Sequence, residues 1–369
     1  MSNPNPASEQ AALMAILTIH ATNVTGLGAC QVVVSLLEAF DSLETSYERI
    51  DCYVPEEGLL AAYLPTTDKF KMISFRRRGP KALSRLLECI FPSIFFDIGD
   101  DLIVLGDVPL RIDRKQVVLV HQPHLQSPRV NRWTGRTARF RLMRALTRLN
   151  GPYANCVIVQ TNAMAVGLRR TFPDWVNRDC IKVIGQPPPS WFTVSTRTSR
   201  IRQNSRGLRL FYPAAGYAHK NHSIFAELQS RDMSELIDQL ILTLPGTRFP
   251  DAPDWLSCVG ELSHAECISE YEKADALIFP SVLESYGLPL IEAMIIGIPI
   301  LAADLPYARV LCGDEAIYFD PASSESLAES CETLRSRLEQ GWWPDWSPRL
   351  ASLPKTWKVV AQSFLDELM

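Results

Sequence analysis

The chain has 369 residues, 47% of them hydrophobic, and a net charge of −4, so it can bury a large core and its length predicts two domains rather than one. No apolar run reaches the ~18 residues a membrane span needs, and residues 1–10 lack the basic start of a signal peptide, which predicts a cytoplasmic protein. Nine cysteines, an odd number without a CxxC pair, are expected as free thiols, several of them (Cys30, Cys156, Cys258) in apolar surroundings.

Taken in order, short apolar runs predict strands at 13–20, 51–54, 71–75, 102–106, 117–121, 156–160 and 181–184, with helical patterns at 29–40, 80–90 and 162–171 between them. This alternation is the pattern of a parallel sheet covered by helices. The run Gly185-Gln186-Pro187-Pro188-Pro189-Ser190 and the polar stretch after it read as an interdomain linker at 191–207. A second α/β unit follows, with strands expected at 208–213, 239–244, 257–259, 276–279, 299–303 and 316–319. The closing segment, 356–369, carries Trp357, Val360, Phe364 and Leu368 on one helical face that needs a partner surface. The domains are therefore expected at 1–190 and at 208–355.

Charge is uneven along the chain, with 22 Lys and Arg against 17 Asp and Glu in residues 1–190, and 15 against 24 in the remainder. Seven arginines between Arg129 and Arg148, among them Arg139, Arg141 and Arg144, are interleaved with Trp133, Phe140, Leu142, Met143 and Leu146 and with no acid. Three readings stay open: a stretch lying on an anionic bilayer, a nucleic-acid patch, or a solvated helix packing its apolar residues inward. Arg76, Arg77, Arg78, Lys81 and Arg85 form a second basic cluster.

In open parallel sheets, ligands bind beyond the carboxyl ends of strands. After the first strand, Gly26 and Gly28 open a helix and allow backbone amides near a phosphate, although the GxGxxG spacing is incomplete and a simple tight turn fits equally. After the strand ending near 120 comes His121-Gln122-Pro123-His124, where His121 can orient an acceptor hydroxyl or merely bond a loop carbonyl. After the first strand of the second half, His219-Lys220-Asn221-His222 offers an amine for an anionic leaving group, and Asn221 is expected to cap the following helix. The two HxxH pairs lack a third ligand at a familiar spacing, so no metal site is expected.

The segment Glu284-Ser285-Tyr286-Gly287-Leu288-Pro289-Leu290-Ile291-Glu292 sets two carboxylates between an apolar strand and an apolar helix. A strand feeding a helix through a Gly- and Pro-containing turn presents amides and a positive dipole end to a diphosphate. Glu292, about one turn into the helix, is then positioned for ribose hydroxyls and Glu284 for a donor sugar. The bland alternative is a capping Glu284 and a solvated Glu292.

Together these segments resemble the retaining glycosyltransferases of family 4, which have the GT-B fold. The resemblance rests on Glu284 to Glu292, on 297–306 and 313–321, and on His219 to His222; Val157 to Asn162 and the Trp357 helix are also similar to family segments. It implies two Rossmann-like domains facing across a cleft, with the closing helix crossing back to the N-terminal domain. It further implies that Glu292 binds the ribose, Glu284 the donor sugar, Lys220 the diphosphate, and the amides of Tyr286, Gly287 and Leu288 the phosphates, with Asn221 and Ser285 also at the donor and Gly260 and Leu262 near the base. Many members carry an arginine where this chain has Ala215. The implied reaction is transfer of a hexose from a nucleotide-diphosphate sugar to a glycan or lipid-linked oligosaccharide in envelope-polysaccharide synthesis, without a cofactor or divalent metal. GDP-mannose is the donor that resemblance to envelope mannosyltransferases suggests, and the inner face of the plasma membrane is the implied place. A non-catalytic scaffold of the same fold, an epimerase or a phosphorylase would use the same architecture.

Overall fold

The computed structural model describes residues 15–126, 137–176, 179–193 and 207–369. Arg129, Arg132, Trp133 and Arg136, and residues 194–206 of the expected linker, lie outside the described residues.

Two sheets organise the chain, and every strand pairing described in them is parallel. The first contains β1 (Ile16–His20), β2 (Arg49–Pro55), β3 (Phe70–Phe75), β4 (Asp101–Val104), β5 (Lys115–Leu119), β6 (Cys156–Val159) and β7 (Ile181–Val183), in the order β3-β2-β1-β4-β5-β6-β7. The second contains β8 (Leu208–Tyr212), β9 (Ile237–Leu242), β10 (Leu256–Cys258), β11 (Ala276–Phe279), β12 (Ile300–Ala303) and β13 (Ile317–Phe319), in the order β10-β9-β8-β11-β12-β13. Each strand expected from an apolar run is present, with ends that move by at most three residues.

Both orders reverse direction once, at β1/β4 and at β8/β11. Strands beside such a reversal send their following loops apart and open a crevice at their carboxyl ends. Strands β11 and β12 are apolar throughout, as strands covered on both faces are, and all four residues of each are buried.

The chain forms two compact units, one from the described parts of Met1–Leu119, Leu146–Val157 and Ala361–Met369, the other from those of Val120–Ala145 and Ile158–Val360. Within the first, Phe364 of the closing helix Trp357–Asp366 meets Phe40 edge-on, 6.2 Å between centroids. Lys115 Nζ donates to the carbonyls of Leu368 and Met369, at 3.0 and 2.9 Å. The apolar face read from the sequence has thus found its partner. The nine cysteines are free, seven of them buried.

Arg77, read as part of a basic surface cluster, is instead an internal strut of the first unit. It donates to both carboxylate oxygens of the fully buried Glu88 at 2.7 Å, and to the carbonyl of Thr22 and the side chains of Thr22 and Asn23 at 2.8–3.0 Å. Ser84 also donates to Glu88, at 2.8 Å. The charge of Arg77 therefore holds the loop after β1 and is not available to an acidic partner.

Candidate active site

The loops after β8 and β11 leave the reversal point of the second sheet, and both carry charge. Lys220 closes a short 3-10 turn, Ala218–Lys220, and its Nζ lies 2.5 Å from Oε1 of Glu284. Both side chains are largely withdrawn from water, and Lys220 Nζ also sits 5.5 Å from the centroid of the Phe279 ring. Backbone ties hold the two loops together: Val282 N and Ser281 Oγ donate to the His219 carbonyl at 2.8 and 3.1 Å, and Tyr212 donates to the Lys220 carbonyl at 2.8 Å. A paired ammonium and carboxylate in such surroundings present a dipole to whatever enters.

Asn221 does not cap the next helix. It takes a left-handed conformation, φ 56°, which asparagine tolerates better than most residues, and its Nδ2 donates to the Pro321 carbonyl at 2.8 Å. His222 occupies the N-cap position of Ser223–Leu228 without a side-chain capping bond.

The Glu284–Glu292 loop is pinned from three sides. Gln126 Nε2 donates to the Glu284 carbonyl and Thr161 Oγ1 to that of Ser285, each at 3.2 Å. The Tyr286 hydroxyl donates to the Gln186 carbonyl at 2.5 Å, and Gln186 N approaches the same oxygen at 2.9 Å. Gly287 then turns with φ 89°, in the left-handed region. A Cβ there would lie 3.1 Å from Leu290 Cδ1, so both conformation and space favour glycine. Helix Leu288–Ile296 follows, with Pro289 in its first turn and no side chain capping it, and ends at Gly297 with φ 82°. An uncapped helix start of this kind suits an anionic ligand.

Glu292 is neither solvated nor paired with a cation. It is 4% exposed, and Oε2 accepts a 2.7 Å hydrogen bond from the fully buried Tyr271 hydroxyl. Burial raises its carboxyl to about 7, with the Tyr271 bond pulling the other way. Tyr271 rises well above the ordinary tyrosine value, mainly through burial and then through the Glu292 charge. Phe192 and Phe211 meet the Tyr271 ring edge-on, at 5.9 and 4.9 Å, and fix its direction.

His121 follows β5 and is half-buried. The next histidine, His124, is buried, with its ring 4.0 Å from Phe140 and 5.9 Å edge-on from His219. Burial, then His219, Arg144 and Arg139, lowers His124 to about 4; burial also lowers His219, and it lowers His222 to about 4. His124 and His222 are therefore neutral at pH 7. Arg144 donates to the His124 carbonyl at 2.6 Å, whereas Arg139 and Arg141 are exposed on helix Thr137–Asn150. Gly260 forms a turn with φ 80°, two residues before the half-buried Leu262. Gly26 and Gly28 stand at the start of helix Leu27–Ser42 in the first unit, where a Cβ at either would meet open space. Among the described residues, no group of three His, Cys, Asp or Glu is arranged to hold a metal ion.

Sequence reasoning reached Lys220, Glu284 and Glu292 but missed Tyr271, Gln126, Thr161 and the His124–His219 contact. Tyr271 carried a faint signal, as an aromatic within a charged helix just before β11. Gln126 and Thr161 carried none, since each acts on a backbone carbonyl more than 120 residues away.

Two parallel α/β sheets with this order and a charged switch-point site define the GT-B architecture of glycosyltransferases. Sucrose-phosphate synthase from Thermosynechococcus elongatus has the same fold, with a TM-score of 0.66 at 14% identity over 95% of this chain and 98% of that one. So does Anabaena HepE, solved with UDP and glucose, with a TM-score of 0.58 at 15% identity over 96% and 97%. More particularly, residues 252–337 match the family described as Glycosyl transferases group 1, a span containing both glutamates but not Lys220. O-antigen chain mannosyltransferase B of Escherichia coli is 24% identical over 179 residues, 44% of this chain and 42% of that protein. Other curated matches also carry mannosyltransferase names. The chain thus aligns with less than half the length of these curated relatives.

Proposed function

We propose that the protein is a retaining glycosyltransferase of envelope-polysaccharide synthesis, moving mannose from GDP-mannose to a glycan or lipid-linked oligosaccharide. The observation that carries this reading is the Lys220–Glu284 pair at the β8/β11 reversal, with Glu292 on the helix that follows. Lys220 and the first amides of Leu288–Ile296 meet the diphosphate, Glu292 accepts from ribose hydroxyls, and Glu284 accepts from the sugar. The mannosyltransferase names of the curated relatives support the sugar.

The anomeric carbon–phosphate oxygen bond breaks, and its electron pair leaves on the diphosphate. The acceptor oxygen bonds to the same carbon from the same face while its proton passes to a phosphate oxygen. Nothing in these steps needs a protein nucleophile; the residues position the partners and stabilise developing charge. We take the diphosphate charge to be met without a divalent ion, so chelation by EDTA should leave the rate unchanged; a loss restored by Mg²⁺ or Mn²⁺ would refute that part.

The test is transfer from a panel of nucleotide sugars to lipid-linked acceptor extracted from bacterial envelopes, with the product linkage read by NMR. Transfer from GDP-mannose with the donor's anomeric configuration is expected. An inverted linkage would overturn retention, and binding of the donor without transfer to any acceptor would favour a scaffold.

A further inference from the structure

The loop after β8 carries a ring that the donor site does not use. Tyr217 stands at the start of the turn Ala218–Lys220, its carbonyl accepting from Lys220 N at 3.0 Å, and it is 53% exposed. Only backbone atoms close that turn, so the phenol ring is surplus to the fold. It is nonetheless held in one orientation. The ring lies parallel to the His219 imidazole, 8° between planes and 5.6 Å between centroids; His219 meets His124 edge-on at 5.9 Å, and His124 packs on Phe140 at 4.0 Å. Four rings thus run outward from the buried Phe140 and His124 to Tyr217, which has one face on His219 and the other uncovered.

This ladder passes beside the charge pair. His219 directly precedes Lys220, and its carbonyl is held by Ser281 and Val282 in the loop that leads to Glu284. Burial lowers the proton affinity of the His219 ring most, and the Glu284 and Lys220 charges act on it in opposite directions, so both lie close. Exposure rises along the same route, from 8% at Glu284 through 16% for the Lys220 side chain to 53% at Tyr217. The rings therefore border the way from solvent to the pair. A flat aromatic face in such a place suits a sugar. The axial C–H bonds on one face of a pyranose carry partial positive charge and meet the negative face of an aromatic ring, while the sugar hydroxyls stay in water at the edge.

We propose that Tyr217, backed by His219, is the platform on which a pyranose ring of the acceptor glycan stacks before transfer. This deepens the proposed reaction and rests on it: the donor sugar belongs at Lys220 and Glu284, so a ring on the solvent side of that pair belongs to the acceptor.

The experiment is a saturation-transfer NMR titration of the full chain with methyl α-mannopyranoside, methyl α-glucopyranoside and methyl α-galactopyranoside, without nucleotide and with GDP or UDP present. Wild type should bind at least one of these glycosides, with saturation strongest at the C–H protons of one ring face. Tyr217→Ala should weaken that binding roughly tenfold, the scale of one lost aromatic contact, and Tyr217→Trp should restore it. Nucleotide affinity, read by calorimetry, should stay at the wild-type value in both variants, and unchanged melting temperatures would show that they fold. Equal glycoside binding by Tyr217→Ala, or no glycoside binding by the wild type in any condition, would overturn the proposal. So would a loss of nucleotide affinity matching the loss of glycoside, which would give the ring to the donor. Because no transfer is measured, an inverted linkage or a different donor would refute the proposed reaction without altering this result.

Discussion

At the residue scale, the least ordinary group is Glu292, a buried carboxyl held at about 7 by desolvation against the Tyr271 bond. Its folded value is above its unfolded one, so between the ordinary glutamate value and about pH 7 the folded state holds the extra proton. Stability then falls as pH rises through that window, by about 3 kcal/mol in total. Glu292→Gln should remove this slope in urea unfolding between pH 5 and 8; an unchanged slope would mean that another group is responsible. Donor binding needs the ionised carboxylate as an acceptor, and the Tyr271 hydroxyl favours that form. Tyr271→Phe should therefore move the pH midpoint of donor binding upward, as calorimetry across pH would read. Lys220→Ala should lower kcat by about a hundredfold or more, the scale of losing one charge-stabilising donor, with a smaller change in KM.

Loops and turns are where the element scale matters, because they aim those residues. Gly287 is required by its left-handed φ and by Leu290. Gly287→Ala should cost about 1–2 kcal/mol in stability and weaken donor binding beyond that, since it tilts the helix start. The Arg77–Glu88 strut can be tested by a cycle. Arg77→Met alone strands a buried carboxylate and should cost about 3–5 kcal/mol, whereas Arg77→Met/Glu88→Met should recover most of it. Equal losses in single and double variants would show that the loop contacts to Thr22 and Asn23, rather than the charge pair, carry the effect.

At the scale of the whole molecule, the thirteen strands among the described residues were legible because buried parallel strands are short runs rich in apolar residues, and β11 and β12 are nothing else. The E-x7-E spacing was legible because both carboxylates belong to one loop and helix. Contacts closed by the fold were not: Tyr271 reaches Glu292 across 21 residues, and Arg77 reaches Thr22 across 55. Asn221 read as a cap because asparagine suits both caps and left-handed turns, and only the geometry of the chain chooses between them. No helix among the described residues is long and apolar enough to cross a membrane. Arg139→Glu/Arg141→Glu should reduce transfer to a vesicle-borne acceptor more than to a soluble one, and equal effects would detach the arginine helix from acceptor delivery.

The most direct test of the donor site is a thermal-shift panel of GDP-, UDP-, dTDP- and ADP-sugars on the wild type and Glu292→Ala. A ligand at about a hundred times its Kd stabilises by ~2.7 kcal/mol. A shift with GDP-mannose that Glu292→Ala abolishes is the predicted result. A shift that survives in Glu292→Ala, or none with any nucleotide sugar, would contradict the site built on Lys220, Glu284 and Glu292.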